Sequence, residues 1–251
     1  MFSIAALVPS PPMLVPQLCG HQVASDDAPD EPVVVLRAAA LEAAATLAAR
    51  ADRWVVVGAG ARAETFDPGV RGTFRGFGAD VVVGLGPGAS VDAPADPQLP
   101  LPVLIAAWLR EQAAPGVSVR ARVIAADTAP GECARFGTDL RAELDADPAP
   151  WAVLVVADGA ATLTLKSPGY LDERADPFQT ALDAALREGS RAGLAALDPD
   201  LCAQLRVDGR AAYQVLGGLF ATDPADPPVR TLYQGAPYGV GYDVSVWEVG
   251  R

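Results

Sequence analysis

The sequence predicts an α/β fold: a three-layer α/β/α sandwich around a mixed central sheet. Short β-branched runs alternate with alanine-rich helical stretches, which is the pattern of strands covered by helices. The last two strand-like runs are separated by a short Gly/Pro segment, which favours an antiparallel pair inside an otherwise parallel sheet. The chain has 251 residues and 51% hydrophobic content, enough for one large core, and is read as a single domain over 1–251.

The elements follow in order. Phe2 to Val8 is a short apolar strand stopped by Pro9. Pro9, Pro11, Pro12 and Pro16 then fix φ and remove four backbone donors, so a stiff extended loop follows, with Ser10 as the polar side chain inside the proline cage. An acidic loop, Asp26 to Pro32, leads into a helix over Val33 to Arg50. Trp54 to Val57 is a buried strand ending in Gly58-Ala-Gly60, with a glycine-rich loop to Gly78. Asp80 to Leu85 reads as another strand, and 86–100 as a long surface loop.

A helix over Leu101 to Gln112 is followed by an alternating strand, Val117 to Ala125, and an amphipathic helix, Glu132 to Asp145. Trp151 to Ala157 is the most apolar strand. Asp176 to Leu197 gives one or two helices around Gly189 and Gly193, Asp198-Pro199 opens a short one, and Gly209 to Phe220 gives another. Strands over Val229 to Gln234 and Val240 to Val246 close the chain.

Charge and composition exclude several classes. A net charge of −12 repels phosphate backbones, so neither nucleic acid nor an anionic membrane is expected as a partner. No apolar run is long enough to span a membrane. Cys19, Cys133 and Cys202 are odd in number and widely spaced, which indicates neither a disulfide framework nor a zinc knuckle. With no basic leader before Pro9, a reducing cytoplasm is the expected compartment.

Four motifs carry chemistry or its bland alternative. Gly58-Ala-Gly60-Ala-Arg-Ala63 follows a strand, but Phe66, Asp67, Pro68 and Gly69 cut off the helix a phosphate site needs, so it reads as a strand-to-loop turn. His21 is the only histidine and cannot build a His-based metal site alone. Asp158 follows the most apolar strand, a position that suits both a catalytic acid and a turn residue before glycine. Asp208-Gly209 resembles a helix N-cap, and capping is the favoured role.

Three separated segments carry a family resemblance. They are Val8-Pro-Ser-Pro-Pro-Met-Leu-Val-Pro-Gln-Leu-Cys-Gly20, Ala157-Asp-Gly-Ala-Ala-Thr162 continuing to Asp172, and Val207-Asp-Gly209 through Ala236-Pro-Tyr-Gly-Val-Gly-Tyr242. In order and spacing they resemble the B-subunit family of class III extradiol ring-cleavage dioxygenases (LigB-like) and its Memo-like relatives. The resemblance implies a cleft at the strand ends, an Fe(II) site of two histidines and a carboxylate, and a homodimer.

The departures from that pattern matter more. The resemblance puts the first histidine on Ser10, the second on Ala59, the third-ligand segment on Val207-Asp208-Gly209 and the general-base histidine on Thr162. Alanine and valine side chains cannot coordinate, and serine and threonine are weak ligands for this ion. The expectation is therefore a LigB-like protein without iron or any other cofactor or metal. It would bind a small molecule or a protein in a cleft of Ser10, Ala59, Gly60, Asp158, Thr162, Asp208 and Tyr242. Two alternatives stand beside it: a hydrolase using Asp158 and Asp208 as acid and base or to hold Mg²⁺, and a dioxygenase with an unusual metal shell.

Overall fold

The computed structural model describes residues 1–19, 31–89 and 94–250. His21 and most of the acidic loop before Pro32 lie outside them. Seven strands form the main sheet: β1 (Phe2–Val8), β2 (Arg53–Gly60), β3 (Glu64–Phe66), β6 (Ser118–Ala125), β7 (Trp151–Val156), β8 (Val229–Gly235) and β9 (Tyr242–Glu248). Their order is β3-β6-β2-β7-β1-β9-β8. The four central strands β6, β2, β7 and β1 are parallel; at the edges β3 pairs antiparallel with β6, β9 antiparallel with β1, and β8 antiparallel with β9. The sheet is mixed, and the closing strands are the antiparallel pair that their short connection predicts.

Helices cover both faces. α1 (Pro32–Ala48) and α2 (Leu101–Ala113) pack on one, over Ile4, Val8, Trp54, Val56 and Leu154. The other carries α3 (Pro130–Ala146), α4 (Ala175–Glu188), α5 (Arg191–Ala195), α6 (Pro199–Gln204) and α7 (Arg210–Leu219), over Leu7, Val55, Val57, Val153 and Val155. This is an α/β sandwich. β1, β2 and β7 read as nearly unbroken apolar runs because both of their faces are buried, whereas β6 alternates, with Arg120 and Arg122 on its less buried side. Each large side chain removed from water there contributes about 1.5–3 kcal/mol.

Helix boundaries follow local chemistry. Proline stands in the first turn of α1, α2, α3 and α6, where its missing N–H costs nothing. Asp198 caps α6 by accepting from Leu201 N at 2.7 Å, and Ser190 caps α5 by accepting from Gly193 N at 3.1 Å. Gly189 ends α4 at φ +68°, dividing the stretch 176–197 into two helices.

Two sequence expectations change. Gly58 to Gly60 belong to β2, whose pairing with β6 runs on to Gly60 opposite Ala125. The stretch 80–85 stays outside the main sheet: only Val82–Gly84 (β5) is extended, paired with Arg71–Thr73 (β4) in a separate two-stranded sheet. Short strands set by distant partners leave little local periodicity to read.

One contact fixes the height of α7. A Cβ on Gly218 would lie 2.3 Å from the carbonyl oxygen of Ala134, and one on Gly137 would lie 2.3 Å from that of Val215. α3 and α7 therefore touch backbone to backbone. Thr138 Oγ1 lies 3.1 Å from Ala134 O and 3.3 Å from Gly218 O across this contact. The packing holds the start of α7 beside the end of β7.

Candidate functional site

The C-terminal ends of β1, β2 and β7 lie side by side, with β7 between the other two. A crevice at such strand ends is where open α/β sheets receive ligands. Here it is a hollow of about 200 Å³ lined by Ser10, Ala59, Leu101, Pro102, Val156, Ala157, Asp158, Asp208 and Gly209. A wider groove of about 460 Å³ adjoins it and shares Ala59, Leu101 and Pro102; Gly60, Arg62, Glu64 and Gln98 line that groove instead.

Asp158 is the centre of the inner hollow. Ser10 donates its backbone amide to Asp158 Oδ1 at 2.9 Å and its hydroxyl to Oδ2. The proline cage therefore aims both donors of one residue at one carboxylate. The apolar surroundings strip solvent from Asp158, and this burial pushes its carboxyl pKa up. The two Ser10 hydrogen bonds oppose that rise, and Asp208 adds to it.

Two glycines let chain segments close around the site. Gly209 lies so near β7 that an added Cβ would sit 2.6 Å from Ala157 Cβ and 2.7 Å from both backbone N and O of Asp158. Its amide donates to Asp158 O at 3.3 Å. A Cβ on Gly58 would sit 2.5 Å from Pro102 Cβ, so that glycine lets the start of α2 form the opposite wall.

The residues singled out from the sequence separate into three groups. Ser10, Ala59, Asp158 and Asp208 meet in the inner hollow. Gly60 lies next to it in the groove. Thr162 and Tyr242 line neither. Thr162 is buried with its hydroxyl donating to Leu205 O at 3.3 Å, so its side chain is spent on the fold. Tyr242 opens β9 and is buried in the core; burial raises its phenol pKa first, and nearby Asp158 raises it further.

The two acids also differ from their bland readings. Asp208 makes no cap: the N-cap of α7 is Gly209, with no side-chain hydrogen bond, and the Asp208 side chain stands exposed at the rim. Asp158 serves Ser10, 148 residues away, instead of its own turn. Sequence reasoning missed the wall from Leu101 and Pro102 and the phenol of Tyr213, which donates to Ala157 O at 3.3 Å beneath the site. The only local signal for the wall was a proline pair opening a helix.

The donor set does not fit a three-ligand iron centre. Among the described residues no group of three or more His, Cys, Asp or Glu is placed to hold a metal ion. Ala59 offers no donor, the Thr162 side chain faces elsewhere, and Ser10 is committed to Asp158. None of the residues lining the inner hollow is cationic. The hollow therefore presents carboxylate acceptors against an apolar wall. No helix among the described residues is long and apolar enough to cross a membrane.

No protein-family model matches this chain, and no curated protein matches it. Among solved structures, it is similar to the uncharacterized protein JW3007 from Escherichia coli K12, at 14% identity and a TM-score of 0.54. The match covers 98% of this chain and 99% of that one. At that identity the likeness speaks for the fold alone: the two chains share an α/β sandwich over nearly their full lengths.

Proposed function

We propose that this chain is a LigB-like scaffold that binds a small molecule in the strand-end hollow and neither holds iron nor cleaves aromatic rings. The observation that carries the reading is the commitment of Ser10, amide and hydroxyl together, to Asp158. An extradiol centre needs two neutral nitrogen ligands and a carboxylate around an open iron face. In this chain the matching positions hold a serine already bonded, an alanine without a donor, and a segment whose only carboxylate is the exposed Asp208.

The chemistry of the hollow favours a ligand that brings a donor. Lone pairs of Asp158 not used by Ser10, and all those of Asp208, await N–H or O–H groups. An ammonium group would also relieve the desolvated charge on Asp158. Titrating n-butylamine, 1-butanol and butyrate while following the Ser10 and Gly209 amides by NMR tests this. The amine is expected to move both amides and butyrate neither; equal response to all three would refute the donor preference. Metal analysis and oxygen uptake with catechol and Fe(II) test the other half. Stoichiometric iron or a ring-opened product would overturn it.

A second reading has one observation in its favour. Asp158 and Asp208 line one hollow, with Asp158 pushed toward its protonated form. A protonated and an ionised carboxyl facing one ligand can act as acid and base. Hydrolysis of p-nitrophenyl substrates that disappears in Asp158→Asn would favour this reading over simple binding.

A further inference from the structure

The segment behind the hollow, Asp158 to Ala160, is held by one buried glutamine on α4. Gln179 Oε1 accepts from Ala160 N at 2.9 Å, and its Nε2 donates to Asp183 Oδ1 at 2.7 Å. Its amide lies flat between two glycines. A Cβ on Gly159 would sit 2.4 Å from Gln179 Oε1, and one on Gly241 would sit 2.3 Å from Gln179 Cδ. The two glycine segments are also tied to each other: Gly159 N donates to Gly241 O at 2.8 Å, and Gly241 N to Ala160 O at 2.9 Å.

The chain of hydrogen bonds continues past Asp183. Its backbone carbonyl accepts from Gln234 Nε2 at 3.0 Å, and the same nitrogen donates to Asp243 Oδ2 at 2.9 Å. Asp243 is 1% exposed. Its Oδ1 accepts from Ser245 Oγ at 2.6 Å, and that hydroxyl accepts from the Trp247 indole N–H at 3.0 Å. The other titratable and charged groups facing Asp243 are Asp183 and Arg187 on α4 and the phenol of Tyr213 on α7. Arg187 reaches the network through Gln234, donating to its Oε1.

We propose that Gln179 is the positioning residue of the cleft, and that through Asp183 and Gln234 it ties the placement of Asp158–Ala160 to the protonation state of Asp243. The coupling has a specific hinge in the Gln234 amide. Ionised Asp243 accepts only, so Gln234 gives it an N–H and keeps Oε1 for Arg187. A proton on Oδ2 makes Asp243 a donor there. Gln234 must then present Oε1 to it, withdrawing from Arg187 and from the Asp183 carbonyl. Release of the Asp183 carbonyl lets that residue shift on α4, and its carboxylate carries the shift to Gln179 and so to the Ala160 amide. Burial pushes the Asp243 pKa up to about 6, against its hydrogen bonds from Ser245 and Gln234, so the transition falls in the mildly acidic range. The inference rests on the proposed cleft only for its significance. It is tested without any ligand, so its failure leaves the binding reading standing, and the reverse also holds.

Three probes separate the groups involved, read by NMR between pH 4 and 8 on the full chain. The Trp247 indole N–H reports Asp243 through Ser245. The Ser10 amide reports Asp158. The Ala160 amide reports the positioned segment. In the wild type the Ala160 amide is expected to follow the Trp247 indole, with a shared midpoint near pH 6. In Asp243→Asn that component vanishes from both. In Gln179→Met the indole still titrates and Ala160 no longer follows it, which a merely structural glutamine would not produce. An Ala160 amide that tracks Ser10 instead of Trp247, or that still tracks Trp247 in Gln179→Met, overturns the proposal. Should Gln179→Met fail to fold, the wild-type comparison of the three midpoints decides alone.

Discussion

The two ends of the parallel sheet handle charge in opposite ways. At the N-terminal ends of β1, β2 and β7, acids meet cations and donors together. The Met1 ammonium donates to the carbonyls of Asp147 and Ala149, and Phe2 N donates to Asp145 Oδ1 at 2.9 Å. Asp147 accepts from the Trp151 indole at 3.0 Å and lies 3.4 Å from Arg53. Arg53 and Arg120 each stand 5.8 Å from the Trp151 ring centroid. At the C-terminal ends, Asp158 and Asp208 line a hollow with no cation among its walls. The carboxylates respond accordingly. Hydrogen bonds from Ala149 and Trp151 lower the Asp147 pKa, whereas burial raises that of Asp158. An acid matched locally is part of the scaffold; an acid given only neutral donors is left ready for something else.

The most severe test of this contrast is Gly209→Val. It forces a side chain into the backbone of Asp158, and is expected to destabilise the protein by about 3 kcal/mol or more in urea unfolding. Gly116, before the N-terminal end of β6, has nothing within 4 Å of an added Cβ, so Gly116→Ala is expected to leave the midpoint unchanged. A similar loss in both would erase the difference between the ends.

Next in size is Asp158→Ala, which strands the amide and hydroxyl of Ser10 and should cost about 1–3 kcal/mol. Asp158→Asn keeps an acceptor and a donor for Ser10 while removing a desolvated charge, so at pH 7 it is expected to be nearly neutral. A large loss in Asp158→Asn would mean that the charge itself stabilises the fold.

Stability against pH gives a smaller effect with a defined sign. Asp158, Asp183 and Asp243 have raised folded pKa values. Their contribution is fully present below the unfolded carboxylate range and is lost as pH rises through the folded values. For Asp243, at about 6, the protein is expected to be about 1 kcal/mol more stable at pH 5 than at pH 7. Asp147, Asp80 and Asp172, with lowered values, act the other way: their contribution is lost only as pH falls further, for Asp172 toward about 2. Thermal unfolding across pH 3–8 in wild type and Asp243→Asn checks both signs. Arg53→Ala is expected to cost little as well, under about 1 kcal/mol for an exposed pair and ring contact.

Much of this architecture was legible in the chain, and the exceptions share a cause. Pro9 ends β1, the apolar run Trp151 to Val156 is the buried strand β7, and Gly189 divides α4 from α5, because each signal is local. The strands β3 and β4 and the limits of β5 depend on distant partners and left no period to count. At the cleft, Ser10, Asp158 and Asp208 stood out as polar residues at strand and helix ends, whereas Ala59 was placed there by the family resemblance alone. Thr162 was likewise placed by the resemblance, yet its hydroxyl turns to Leu205. Which way a short polar side chain faces depends on packing that no spacing encodes. The role of Gln179 was invisible for the same reason: a glutamine inside an amphipathic helix looks like surface until two glycines close over it.

The Ser10–Asp158 bond carries a consequence for redesign of the hollow. A histidine placed at position 10 could not by itself create an ion-binding site. It would take away the hydroxyl on which Asp158 relies and leave that acid to compete for the new ring. Ala59, across the hollow, would still offer nothing. Installing a metal centre in this hollow therefore loses an interaction before another is gained, so it takes several coordinated substitutions and no single one suffices.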